Sequence, residues 1–258
     1  MRIFYLLLCS GLLTGCLLPD TQKKSTDSTI SQLSGLYSGT TDFYPNTGVA
    51  TEGIVTLLLF VEDTVYLLRT DEAYVGTYTQ DGLGGIQLTM TPYTYGNADT
   101  TNNVYSGSAP ANAVAQEFTA VLTSGQGLVA SYTSTLGSGY LDLTLDTDRA
   151  GSVTLAAIEG SWKTTDQVQD INASGRFLNY NTADSCQTDG QLTSNGALYD
   201  LSLTRINCVD MAGDAEGLGF LLGTGELNYV ARSSNNLLWM QFDPDVLTNA
   251  SSTTTTTP

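Results

Sequence analysis

The chain has 258 residues, with 26 acidic and 9 basic side chains, no histidine and a formal charge of −17. An acidic balance of this size argues against nucleic-acid binding, because phosphate backbones are repelled, and against a polybasic attachment to anionic lipid. The missing histidine removes the Ser-His-Asp triad, the Cys-His pair and the His-based zinc site.

Met1-Arg2 is a short positive start, followed by a mostly apolar run over residues 3–13. That is the length of a signal-peptide core and well short of the ~20 residues a bilayer span needs. The run ends in Leu13-Thr14-Gly15-Cys16, a branched apolar residue and two small ones before a cysteine. It resembles the bacterial lipobox. The resemblance covers only the leader and implies that residues 1–15 are cleaved and the Cys16 thiol carries diacylglycerol. The acyl chains, at ~0.8 kcal/mol per buried CH2, would be a permanent membrane anchor. Leu17, where an Asp would signal inner-membrane retention in enterobacterial-type lipoproteins, implies the outer membrane, facing periplasm or cell surface. Residues 16–32 then read as the lipidated cysteine and a flexible Ser/Thr-rich tether.

Residues 33–150 read as about eight strands. The runs are "GLYSGTTDF", "GIVTLLLF", "TVYLLR", "AYVGTYTQ", "IQLTMTPYTY", "AQEFTAVLTS", "GLVASYTST" and "GYLDLTLDT". Turns are expected at Glu62-Asp63, Asp81-Gly82, Ser124-Gly125 and Gly137-Ser138. Ile86, Leu88 and Met90, and again Leu141, Leu143 and Leu145, alternate with polar residues as half-buried strands do. Tyr66, Tyr74, Tyr78 and Tyr132 read as barrel lining. A meander of this kind removes its edges most simply by closing into a small barrel. The stretch Tyr95–Val114 reads as a long polar loop. Loops of this length without internal structure are uncommon in compact domains. Its tyrosines make Tyr93, Tyr95 and Tyr105 the candidate ligand or partner contacts. Asp142, Asp146 and Asp148 offer oxygens for calcium, but a solvated strand face explains them better, and no metal site is expected.

Residues 155–245 read as a second unit of about seven strands, and residues 246–258 as a disordered Thr-rich tail. Cys9 belongs to the leader, so with Cys16 lipidated, Cys186 and Cys208 remain. Folding the chain about a turn at Ser194-Asn195-Gly196 brings these two together, and in an oxidising exported compartment they are expected to form a disulfide. The two units open alike, Leu33-Ser34-Gly35-Leu36-Tyr37 against Ile158-Glu159-Gly160-Ser161-Trp162. Repeats of this kind imply structural copies. The Gly160-x-Trp162 opening, with Gly35-x-Tyr37 as a weaker copy, also resembles the first strand of lipocalin or calycin barrels. That resemblance implies a Trp packed across the closed base of a barrel. The layout is similar to uncharacterised proteobacterial β-rich lipoproteins as well.

The fold class expected is therefore all-β, two tandem antiparallel meanders closing as small barrels, with little helix. No constellation of catalytic residues is present, so the expected role is non-catalytic and needs no cofactor. It would be a binding or structural module of the bacterial envelope, taking an envelope protein or a small apolar ligand. The alternative is an accessory subunit, adhesin or inhibitor that binds another envelope or host protein.

Overall fold

The computed structural model describes residues 35–81, 85–99, 104–109, 115–122, 127–133, 137–147, 152–181, 185–209 and 211–245. The leader, Cys16, the tether, Asp148, the turn at Ser124-Gly125, Gly82 of the turn at Asp81-Gly82 and the Thr-rich tail lie outside the described residues.

Among the described residues the first half holds nine strands. They are β1 (Gly35–Pro45), β2 (Thr51–Val61), β3 (Thr64–Arg69), β4 (Glu72–Gln80), β5 (Gly85–Asp99), β6 (Val104–Ser108), β7 (Gln116–Leu122), β8 (Gly127–Thr133) and β9 (Gly137–Leu145). All pairings are antiparallel. Strands β1 to β5 pair in sequence, β5 then pairs with β7, and β7, β8 and β9 lead back to β1. Eight strands thus close a ring that has no free edge. The two-residue turn Glu62-Asp63 falls where the sequence places it, with Val61 opposite Thr64. Gly137-Ser138 does not form a turn. Both residues belong to β9 and pair with Pro45 and Tyr44.

The second half adds β10 (Gly160–Lys163), β11 (Val168–Ile171), β12 (Arg176–Tyr180), β13 (Gln187–Asn195), β14 (Leu198–Ile206), β15 (Gly213–Leu221), β16 (Leu227–Arg232) and β17 (Asn236–Pro244). Each pairs with the next, and β17 returns to β10 through Trp162–Pro244 and Lys163–Asp243. This ring also has eight strands, one more than the sequence suggests. The extra one is β11, whose first two residues run against the usual polarity: Gln169 is buried while Val168 is exposed. The turn between β13 and β14 is Gly196-Ala197, one residue later than expected, with Asn195 opposite Leu198.

The matched openings hold at the backbone level. Gly35 and Gly160 sit at φ 122° and 132°, a region that side chains avoid. Two residues on, Tyr37 and Trp162 are each buried inside their own ring. The Trp162 indole donates to the Ile158 carbonyl at 2.8 Å, and the Tyr199 hydroxyl donates to the Thr154 carbonyl at 2.9 Å. These bonds hold a single 3-10 turn, Leu155–Ala157, against the end of the second ring, with Val153, Leu155 and Ile158 packed on its core.

The two halves are one unit rather than separate domains. Strand β5 parts from β7 after Met90, stays paired with β4 as far as Thr94, and pairs with β6 along Thr94–Asp99. Strand β6 in turn pairs with β17 of the second ring, Trp239 opposite Tyr105. A third apolar cluster fills the space between the rings. It joins Leu57, Leu59, Tyr66, Leu68 and Val75 of the first to Leu218, Phe220, Val230, Leu237 and Trp239 of the second.

Candidate functional site

Among the described residues, packed side chains occupy the inside of both rings. The first is filled by Tyr37, Leu58, Phe60, Leu67, Tyr74, Phe118, Tyr132, Leu141 and their neighbours. Several of its aromatic rings meet edge to face, as for Phe60 and Tyr78 at 4.9 Å and Tyr74 and Phe118 at 5.6 Å. Tyr66 is a correction to the expected lining, because it points outward into the cluster between the rings.

One end of the first ring is closed by charge. Arg69, at the end of β3, is almost fully buried, and its Nε donates to Asp71 Oδ1 at 2.9 Å. Its guanidinium also lies 3.5 Å from Glu72, and Tyr74 donates its hydroxyl proton to the same Glu72 carboxylate. Burial pushes the Glu72 carboxyl above its ordinary value, against the opposing pull of the Tyr74 hydrogen bond and Arg69. Thr41 and Thr56 share a hydrogen bond at 2.6 Å, and Thr56 is the register partner of Arg69.

The second ring carries a buried polar row across four strands. Gln169, Asn179, Thr188 and Arg205 are successive register partners, and all four are buried. Gln169 Nε2 donates to the Tyr229 hydroxyl at 2.6 Å, and Asn179 Nδ2 donates to Gln167 at 2.8 Å. Arg205 donates to Thr188 at 3.3 Å and to the Met211 carbonyl at 3.1 Å. Beside this row Cys186 and Cys208 form a disulfide, with their Cα atoms 4.5 Å apart. The pairing follows from the hairpin, since Gln187 lies opposite Ile206.

The tyrosines singled out by sequence lie inside the protein. Tyr93 and Tyr105 are buried in the cluster between the rings, and Tyr95 packs against it. Tyr105 stacks on Trp239 at 4.9 Å, and Tyr95 lies 5.4 Å from Tyr105. The Tyr95 hydroxyl is enclosed without a hydrogen-bond partner, and burial holds it above the usual phenol range. The stretch Tyr95–Val114 is not a structureless loop either, since it contains the end of β5 and all of β6. Its Gly, Asn and Ser residues hide this, because main-chain pairing to β17 needs no apolar side chain.

A cleft of about 590 Å³ lies between the β2–β3 turn and the outer face of the second ring. Glu62, Asp200, Asp214 and Glu216 line it with Tyr66 and Arg232. Burial raises the Tyr66 phenol, and Arg232 opposes that rise. The chain has no histidine to serve as a base, and the cleft is dominated by carboxylates. Among the described residues no group of three or more acidic or cysteine side chains is placed to hold a metal ion. Asp142 points to solvent from β9, as a solvated strand face requires.

No protein-family model matches the chain, no curated protein matches it, and no solved structure matches its fold.

Proposed function

We propose that this chain is a non-catalytic lipoprotein of the bacterial outer membrane that binds another protein of the envelope. The observation that carries the reading is the filling of both rings. A carrier of a small apolar ligand needs an open apolar lumen. Here Phe60, Phe118 and Tyr132 occupy the first ring and Phe177, Tyr229 and Phe242 the second. Recognition therefore falls to the outside of the barrels. Leu13-Thr14-Gly15-Cys16 supports the anchor, and the acidic surface limits adhesion to anionic lipids.

The direct test is to crosslink the tagged full chain in its native envelope and identify what travels with it by mass spectrometry. A stoichiometric protein is the expected result. A bound small molecule with no protein would overturn the reading. The anchor is tested by Cys16→Ser, which should leave an unprocessed precursor that no longer partitions into detergent. A variant that partitions like the wild type would remove the lipid from the proposal.

A further inference from the structure

We propose that the outer face of β11–β14 is the docking surface for a protein segment that is both apolar and basic. This rests on the partner-binding reading above and names where that contact is made. Val168, Leu178, Tyr180, Ile206 and Val209 are each at least half exposed, and among the described residues they are the large exposed apolar side chains of the second half. Single exposed apolar residues are ordinary, but a contiguous group marks an interaction site.

The register makes these five one surface. Gln169 lies opposite Asn179, so Val168 comes next to Tyr180 in the following row. Tyr180 lies opposite Gln187, and Gln187 opposite Ile206. Val168, Tyr180 and Ile206 therefore form one row across four strands, roughly 14 Å long at the usual strand spacing. Leu178 stands one step along β12 on the same face, and Val209 follows the disulfide at the end of the row. Further along this face the outward residues turn polar, as Gln191, Ser202 and Thr204. The Cys186–Cys208 bond and four paired strands hold the row rigid before a partner arrives, which lowers the ordering cost of binding.

Charge selects the occupant. Asp170 and Asp189 are the register partners of Leu178 on either side, so the apolar row is bordered by carboxylates. Asp189 is held by Arg176 at 3.2 Å, and Lys163, the register partner of Val168, is held by Asp245 at 2.7 Å, so among the described residues Asp170 is the carboxylate of this border that faces a partner without an ion pair. A second copy of a chain of charge −17 would bring the same acidic border to both sides of the contact. An anionic bilayer would be repelled in the same way. A partner with Lys or Arg beside its apolar side chains satisfies both features, and Tyr180 has the amphipathic ring that anchors such contacts.

The test is photo-crosslinking of the full chain in intact cells through Tyr180→benzoylphenylalanine, with Tyr140→benzoylphenylalanine on the first ring as the control site. The expected result is one protein adduct at position 180, absent at position 140. Adding Ile206→Asp should lower its yield at least about tenfold, and Asp170→Lys should also lower it. Thermal midpoints and the disulfide should remain as in the parent chain. An adduct that is a second copy of this chain or a lipid overturns the proposal. So does an adduct indifferent to Ile206→Asp or Asp170→Lys, or one formed only at position 140. If the general crosslinker captures a stoichiometric partner while position 180 captures nothing, the docking face is wrong and the partner-binding reading stands. If the general crosslinker captures no protein, that reading fails first and takes the docking face with it.

Discussion

Strands β9 and β14 alternate buried and exposed side chains along their length, whereas β3 and β16 are buried almost throughout. All four belong to eight-membered rings, so ring membership does not explain the difference. The outer faces of β3 and β16 look toward the other ring, and those of β9 and β14 look toward water. In β3, Val65 and Leu67 fill their own ring while Tyr66 and Leu68 fill the space between the rings. A barrel strand that is apolar on both faces thus marks where another layer covers it, by the same logic that makes doubly covered sheets read as continuous apolar runs.

The sharpest way to break this comparison is to place one charge on each kind of face. Leu237, fully buried between the rings, should lose more than about 4 kcal/mol as Leu237→Asp, because its carboxylate has no water and no partner. Ile206→Asp, on an exposed face opposite the uncharged Gln187, should stay within about 0.5 kcal/mol. Urea unfolding of both variants measures the pair, and equal losses would mean that the rings do not share a core.

Removing the disulfide with Cys186→Ser and Cys208→Ser should cost about 2–5 kcal/mol. Hydrogen exchange should place the loss in β13 and β14 before it reaches the first ring. Uniform loosening of both rings would instead make them one cooperative block, coupled through β6 and the shared cluster.

A smaller effect is expected where an aromatic ring lies over a glycine inside the second ring. A Cβ at Gly190 would come 2.1 Å from the Phe177 ring across the β12–β13 pair. Gly190→Ala should therefore destabilise by about 1–3 kcal/mol through overpacking. Phe177→Leu in the same chain should recover part of that loss if the clash is its cause.

Alkaline pH probes both interiors together. Burial raises the phenols of Tyr74 in the first ring and Tyr229 in the second. The unfolded chain releases these protons near the ordinary tyrosine value of about 10, and the folded chain holds them longer. Stability is then fully present below that pH and falls as pH rises above it. Tyr74→Phe and Tyr229→Phe should each move the alkaline unfolding midpoint upward, read by tyrosinate absorbance. A variant with an unchanged midpoint would show that its phenol already reaches solvent.

Much of the fold was legible because strand alternation is a local signal. Ile86, Leu88 and Met90 are buried as their spacing demands, and so are Leu141 and Leu143. The doubled opening at Gly35-x-Tyr37 and Gly160-x-Trp162 identified two copies of one device, and the hairpin paired Cys186 with Cys208. Strand β11 escaped because one of its two inward residues is a glutamine, whose amide donates to Tyr229, a partner 60 positions away in the chain. The candidate site was read least well. Tyr93, Tyr95 and Tyr105 stood out as amphipathic rings in a polar stretch, yet Trp239 and the outer wall of the other ring enclose them.

By itself the amino-acid order determined the all-β class, the strands that alternate and the disulfide, since each depends on residues close in the chain or joined by one hairpin. The tertiary structure alone decided that the two rings share an apolar layer, that β6 bridges them, and which tyrosines lose their access to solvent. Those outcomes depend on which outer faces meet. A face covered by a distant strand and a face open to water can carry the same residues, and only the packed neighbour tells them apart.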